Sequence, residues 1–272
     1  MKLRTNIWNE LRSPEIAGAR DAGAVVVVPL GATEQHGSHL PLDTDILSAT
    51  SVCVRAAELS EEPLILVARV LDVGFSPHHM LHPGTLSLRL ETFCAVVRDV
   101  VQSVRTHGFE KIIFVNGHGG NAAPLYSIAH QLATEGLPMV YCSYWDLIKA
   151  EIESILEGSR RSVGHACEFE TSLLMHLRPD SVDRGSAVDE SRPPWNPKLL
   201  RDPVSEAGAV FPPVFTRDST GVLGDARSGS ADKGRQLFET AAARLAELVK
   251  IVAETEFMHE RVWRDEVPNR EC

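Results

Sequence analysis

No CxxC pair occurs in this chain, and its five cysteines, Cys53, Cys94, Cys142, Cys167 and Cys272, are scattered and odd in number. That excludes a disulfide framework or a cysteine zinc site as the organiser of the fold; the thiols read as reduced and mostly buried. No apolar run approaches the ~20 residues that span a bilayer. The opening stretch MKLRTNIWNELRSPE has no apolar signal core, so the expectation is a cytoplasmic protein with no membrane partner. Positive charge is in deficit: 27 Lys and Arg stand against 37 Asp and Glu, a formal net charge of −10. Such a surface repels phosphate backbones, which argues against nucleic acid as a partner. There is no internal repeat and no low-complexity tract.

What the chain does have is 272 residues, 43% of them hydrophobic, enough for one large α/β domain or at most two smaller ones. AVVVVP at 24–29, LILVA at 64–68, KIIFV at 111–115 and PMVYCS at 138–143 fit strands buried on both faces. Helical periodicity lies between them at 44–59, 90–106 and 121–134, and again at 167–177, where Pro179 ends it. The last strong helix is 231–254, with Leu237, Ala241, Leu245, Leu248 and Val252 on one face. This alternation predicts a doubly wound α/β fold, a largely parallel sheet flanked by helices, as a single domain over 1–272. Residues 183–230 stand apart. They hold Pro193, Pro194, Pro197, Pro203, Pro212 and Pro213, many glycines and little periodicity. A stretch of that kind is expected to be a functional loop, an oligomer contact or a mobile segment.

Three segments carry chemistry. GATEQHGSHLPLDTD at 31–45 directly follows the first strand, at the carboxyl end where open α/β sheets bind ligands. Glu34 and His36 are two apart, so in extended backbone their side chains point the same way. Asp45 falls where the next helix should begin. Two carboxylates and an imidazole form a mixed O/N donor set suited to zinc, manganese or iron; the competing reading makes Asp45 a helix N-cap and His36 a loop residue. NGHGGN at 116–121 follows KIIFV, and its glycines let the backbone turn sharply and approach a ligand closely. It lacks the Lys of a P-loop and the G-x-G-x-x-G spacing, which argues against a phosphate loop. His118, at this second strand end, strengthens the metal reading. HACEFETS at 165–172 reads as helical, with His165 and Glu168 at i,i+3 on one face. That face would offer a metal carboxylate and a proton-transferring imidazole together. Glu170 points elsewhere and reads as an acid favoured by the helix dipole or as a supporting group.

These segments, with HPGTLSL, SYWDL and GVLGDARSGSADKGRQLFE, stand in an order that resembles the creatininase family over about residues 29–179 and from 221 onward. The resemblance implies amide hydrolysis at a centre of two divalent metal ions (Zn, Mn or Fe), in a homo-oligomer, a hexamer in several members. Carried over by position, it implies that Glu34, Asp45 and His118 hold one metal and that His36 and Asp45 hold the other, with Asp45 bridging. In the enzyme that names the family a further ligand is a Glu of NGHYEN, where this chain has Gly120. Glu168, which falls on a valine of that enzyme, is expected to complete the second site instead. His165 matches the catalytic histidine. Trp145 in SYWDL matches one of two tryptophans around the ligand, and the other falls on Arg161. Gly119 and Gly120 imply a roomier pocket, and His79, before the PGT turn, is a candidate pocket residue; His39, His78 and His82 read as surface or supporting residues. The implied function is a metal-dependent amidohydrolase acting on a cyclic amide, formamide or peptide-like substrate, with creatinine disfavoured. The alternatives are a metal-dependent isomerase or lyase, and a non-catalytic metal-stabilised binding protein, for which His165 would serve no purpose.

Overall fold

The β-branched runs form the strands expected of them. In a computed structural model, which describes residues 3–190 and 215–257, β1 (Val25–Leu30), β2 (Ile65–Val67), β3 (Ile112–Asn116) and β4 (Val140–Ser143) make one parallel sheet in the order β2-β1-β3-β4. Successive residues face opposite layers, which is why apolar runs serve here instead of an alternating pattern. Val25 and Val27 face a layer built from α2 (Thr44–Leu59), α6 (Glu168–Leu177) and α7 (Ala231–Glu254), through Val52, Ala56, Phe169, Leu173, Leu237 and Leu245. Val26, Val28 and Leu30 face α1 (Ser13–Asp21), α3 (Leu90–Thr106) and α4 (Ala122–Thr134), through Ala19, Phe93, Val97, Val101, Leu125 and Leu132. Each fully buried Val or Leu contributes about 1.5–3 kcal/mol, so both faces of the sheet are clamped. The predicted doubly wound α/β architecture is the one observed.

From β1 the chain runs outward to β2, then returns to place β3 on the other side of β1. The loops after β1 and β3 therefore part at the carboxyl edge of the sheet, the reversal at which open α/β sheets take ligands. The first turn of α2 sits against this edge. A Cβ on Gly117 would lie 2.7 Å from the Asp45 carbonyl oxygen and 2.9 Å from Ala49 Cβ. Only a glycine permits that approach, and it is the approach that carries Asp45 to the strand ends.

The periodicity reading does not anticipate α1 or α5 (Lys149–Ile155), which are too short to show a stripe. Within 183–230, β5 (Asp189–Glu190) pairs antiparallel with β6 (Gly224–Asp225) between short 3₁₀ turns. The six prolines of that stretch lie outside the described residues. Cys53, Cys94, Cys142 and Cys167 are free thiols; Cys272 lies outside the described residues. Among the described residues, no helix is long and apolar enough to cross a membrane.

Candidate metal centre

Four elements bring their ends together at this edge. The segment after β1 supplies Glu34 and His36, the first turn of α2 supplies Asp45, the residues just past β3 supply His118, and the first turn of α6 supplies Glu170. All five are buried. Glu34 Oε1 lies 3.1 Å from His118 Nδ1, which is 3.3 Å from Asp45 Oδ2. The other Asp45 oxygen, Oδ1, is 3.0 Å from His36 Nε2, which is 3.8 Å from Glu170 Oε1. Asp45 thus belongs to two donor sets, Glu34–Asp45–His118 and His36–Asp45–Glu170, each with its ligand atoms within 4.8 Å of one another.

The hydrogen bonds around these groups leave the converging atoms bare. His118 Nε2 faces the Phe75 carbonyl at 3.1 Å and His36 Nδ1 faces the Glu34 carbonyl at 3.2 Å. A carbonyl only accepts, so each ring carries its proton there and turns an unprotonated nitrogen into the cluster, as a metal-ligating histidine does. The Ser76 hydroxyl donates to Glu34 Oε2, and the Cys167 N–H donates to Glu170 Oε2 at 3.3 Å. Glu34 Oε1, His36 Nε2 and Asp45 Oδ2 are buried without a hydrogen-bond partner. An unpaired buried polar atom costs about 1–3 kcal/mol; three of them spread over two adjoining donor sets fit bound cations. The donor set also fits, being two imidazoles and three carboxylates.

Electrostatics agree. Burial opposes charge on His118, but the carboxylates of Glu34 and Asp45 outweigh it and raise the ring to about 10. His36 is raised well above its usual range for the same reason: burial is overcome by Asp45 and Glu170. The field of the carboxylates thus draws positive charge into a buried space, which a proton or a metal ion can supply.

A family model described as creatinine amidohydrolase matches residues 9–249. The chain belongs to the creatininase family. The creatinine amidohydrolase of Pseudomonas putida is 30% identical over 266 residues, covering 89% of this chain and 94% of the relative. The mycofactocin precursor peptide peptidase of Mycobacterium tuberculosis is 33% identical over 257 residues, covering 92% and 93%. A solved mutant creatininase of the Zn–Zn type superposes with a TM-score of 0.76 at 27% identity, covering 93% of this chain and 100% of that one.

One expected ligand of this creatininase-family chain is placed elsewhere. Glu168 is buried but turned from the cluster: its carboxylate accepts from Gly158 N at 2.8 Å, from Glu157 N at 3.1 Å and from Lys233 Nζ at 2.6 Å. Glu170, read from sequence as a helix-dipole acid, stands in the donor set in its place. The cause is the start of α6. Sharing a face with Glu168 at i,i+3 requires a helical His165, but His165 is extended and bridges antiparallel to Leu223. Ala166 follows at φ 50°, and the helix opens only at Glu168.

His165 stands beside the cluster, with Nδ1 3.5 Å from Glu34 Oε1, and with Glu34 and His36 it forms a third group whose ligand atoms lie within 4.8 Å of one another. Burial, then the charge of His36, hold it well below its ordinary range, so the ring is neutral. His79 joins it, with Nε2 3.4 Å from Glu34 Oε1 and its ring 4.1 Å from that of His165; burial lowers it as well. Phe215, which no motif indicated, stacks on His79 at 4.5 Å. The substrate-side expectations fare differently. Trp145 is buried, edge-on to Tyr144. Arg161 is exposed, and its charge bears on Glu157. Gly119 and Gly120 open a 3₁₀ turn, but Gly120 does not enlarge a pocket: a Cβ there would lie 2.7 Å from His78 Cε1 and clash with the Phe75 carbonyl. The ring of His78, arriving from a separate loop, fills that space.

Proposed function

We propose that this chain hydrolyses an amide C–N bond at a centre of two divalent metal ions, one held by Glu34, Asp45 and His118, the other by His36, Asp45 and Glu170, with Asp45 shared. The observation that carries the reading is the set of three unpartnered atoms, Glu34 Oε1, His36 Nε2 and Asp45 Oδ2, buried at the junction of the two donor sets. Divalent ions bound there supply a water of lowered proton affinity and polarise the scissile carbonyl. The remaining work falls to the chain. Ser76 and the Cys167 N–H hold the carboxylates of Glu34 and Glu170 in orientation. His165, neutral and beside Glu34, takes a proton from the attacking water and returns it to the leaving nitrogen, which must be protonated to depart. The named relatives are a creatinine amidohydrolase and a peptide peptidase, which supports hydrolysis over isomerisation or elimination. We extend the reading to a homo-oligomer, to be read by light scattering at micromolar concentration.

The test is metal analysis of the purified chain followed by assay of cyclic amides, formamides and short peptides in ¹⁸O-labelled water. Two metal equivalents and label in the product acid are expected. His165→Ala should keep its metal and lose ~10²–10⁴-fold in kcat. Product without label would replace hydrolysis by another class of reaction. Full activity in His165→Ala would remove that ring from the mechanism.

A further inference from the structure

Gln35 lies between Glu34 and His36, yet its side chain joins neither donor set. Its Oε1 accepts from the Gly37 N–H at 2.9 Å, and its Nε2 lies 3.0 Å from the Gly221 carbonyl oxygen. These two contacts fix the amide. Rotated by half a turn, it would set oxygen against a carbonyl and an NH₂ against an N–H. Gly221 permits the approach because it has φ +77° and no side chain; a Cβ there would overlap the Gln35 amide.

With the amide fixed, its second N–H points at His79 Nδ1, 2.8 Å away. His79 Nδ1 must accept, so the proton of this neutral ring sits on Nε2, the nitrogen that faces Glu34 Oε1. The main chain of the same residue acts on the other ring. His165 Nε2 lies 2.7 Å from the Gln35 carbonyl oxygen, so it carries the proton of that ring and leaves Nδ1 bare toward Glu34 Oε1. Gln35 Nε2 also lies 3.1 Å from His165 Nε2, but both its hydrogens are already committed and that contact joins two donors. The two rings thus share one tautomer and are held in opposite orientations. Glu34 Oε1 accepts no hydrogen bond from either, so the His79 N–H and the His165 lone pair are both free for a ligand.

We propose that Gln35 is a positioning residue that sets the tautomer and orientation of His79 and His165, so that the site presents one imidazole N–H and one bare imidazole nitrogen side by side; the catalytic use of the pair rests on the amide-hydrolase reading. In that reaction His165 Nδ1 takes a proton from water as the water oxygen bonds to the acyl carbon. The His79 Nε2–H donates a hydrogen bond to the former carbonyl oxygen as negative charge builds on it. The C–N bond breaks, its electron pair stays on nitrogen, and the His165 proton follows to that nitrogen. His165 ends neutral, as it began.

The test needs no substrate. Long-range ¹H–¹⁵N correlation spectra of histidine-labelled, zinc-loaded protein report which nitrogen of each ring is protonated, with signals assigned by loss in His79→Asn and His165→Asn. Nε2–H is expected for both rings. Gln35→Glu replaces the donor at His79 Nδ1 with an acceptor, and His79 should change to Nδ1–H while His165, held by a main-chain carbonyl, stays as it was. Nδ1–H on His79 in the unaltered protein would overturn the proposal even if no variant folds. An unchanged His79 in a folded Gln35→Glu would do the same. On an amide that the protein turns over, Gln35→Glu should lower kcat ~10²-fold with little change in KM. The expected spectra in a protein that hydrolyses no amide would leave the positioning role standing and remove the proposed reaction.

Discussion

The two donor sets share Asp45 but rest on different supports. Glu34, Asp45 and His118 come from the ends of β1 and β3 and the first turn of α2, parts that touch directly across Gly117. His36 has Glu170 as its other partner, and the place of Glu170 is decided off the sheet. The Cys167 N–H meets its carboxylate, His165 bridges to Leu223, and Glu168 anchors the helix start to Lys233 on α7 and to the backbone of Glu157 and Gly158. One half inherits the rigidity of a sheet packed on both faces; the other is assembled by contacts between distant segments. Local sequence can specify the first and only tertiary structure can specify the second.

The variant pair Glu170→Gln and Glu168→Gln tests that comparison where the effect is largest. Glu170→Gln should lose about one metal equivalent of two and lower kcat/KM by ~10²-fold or more. Glu168→Gln should keep both equivalents, because its oxygens already have Lys233 and two backbone N–H groups as partners. Metal content after gel filtration decides. The reverse result would restore the i,i+3 reading of His165 and Glu168 and refute the placement of α6.

The same division explains what was legible beforehand. The four strands were readable because apolar runs flanked on one side or the other by glycine or proline have few other uses, and Glu34, His36, Asp45 and His118 because they follow strand ends within short motifs. Glu170 was missed because helical spacing was extended across Ala166, whose positive φ ends the extended segment before the helix begins. The filled space at Gly120 was missed because His78 comes from a loop that glycine count and motif order do not place. Phe215 and Gln35 act through contacts with rings from separate segments, and no periodicity marks such contacts.

Lys233→Met sharpens the comparison through stability. Lys233 Nζ reaches the buried Glu168 carboxylate, the Glu157 carboxylate at 2.8 Å and the Ser228 carbonyl at 3.0 Å. Its removal leaves Glu168 a buried charge held by backbone donors alone, a loss of about 3 kcal/mol in urea unfolding. Zinc affinity should fall at the set that includes Glu170 and hold at Glu34–Asp45–His118. Equal weakening of both sets would show that the sheet half is no better supported than the other.

The smallest expected effect comes from His39, which ties the halves together. It follows β1, yet its Nε2 meets Thr171 Oγ1 of α6 at 2.9 Å and its carbonyl accepts from Asp183 N. Its Nδ1 is buried without a partner. Burial, then the charge of His36, lower the ring from its ordinary 6.5 to about 4, against a weaker opposing pull from Asp183. The sign follows from which state takes the proton. Above pH 6.5 both folded and unfolded His39 are neutral, and the group costs nothing. As pH falls below 6.5 the unfolded ring binds a proton that the folded ring refuses, so stability declines until the folded ring titrates near 4. At pH 5 the loss relative to pH 8 is at most about 2 kcal/mol. Urea midpoints of zinc-loaded protein at pH 8 and pH 5 measure it, and His39→Gln, which cannot take the proton, should lack that part of the decline. If His39→Gln keeps the full slope, the acid sensitivity belongs to the metal ligands, and His39 does not couple the two halves through its charge.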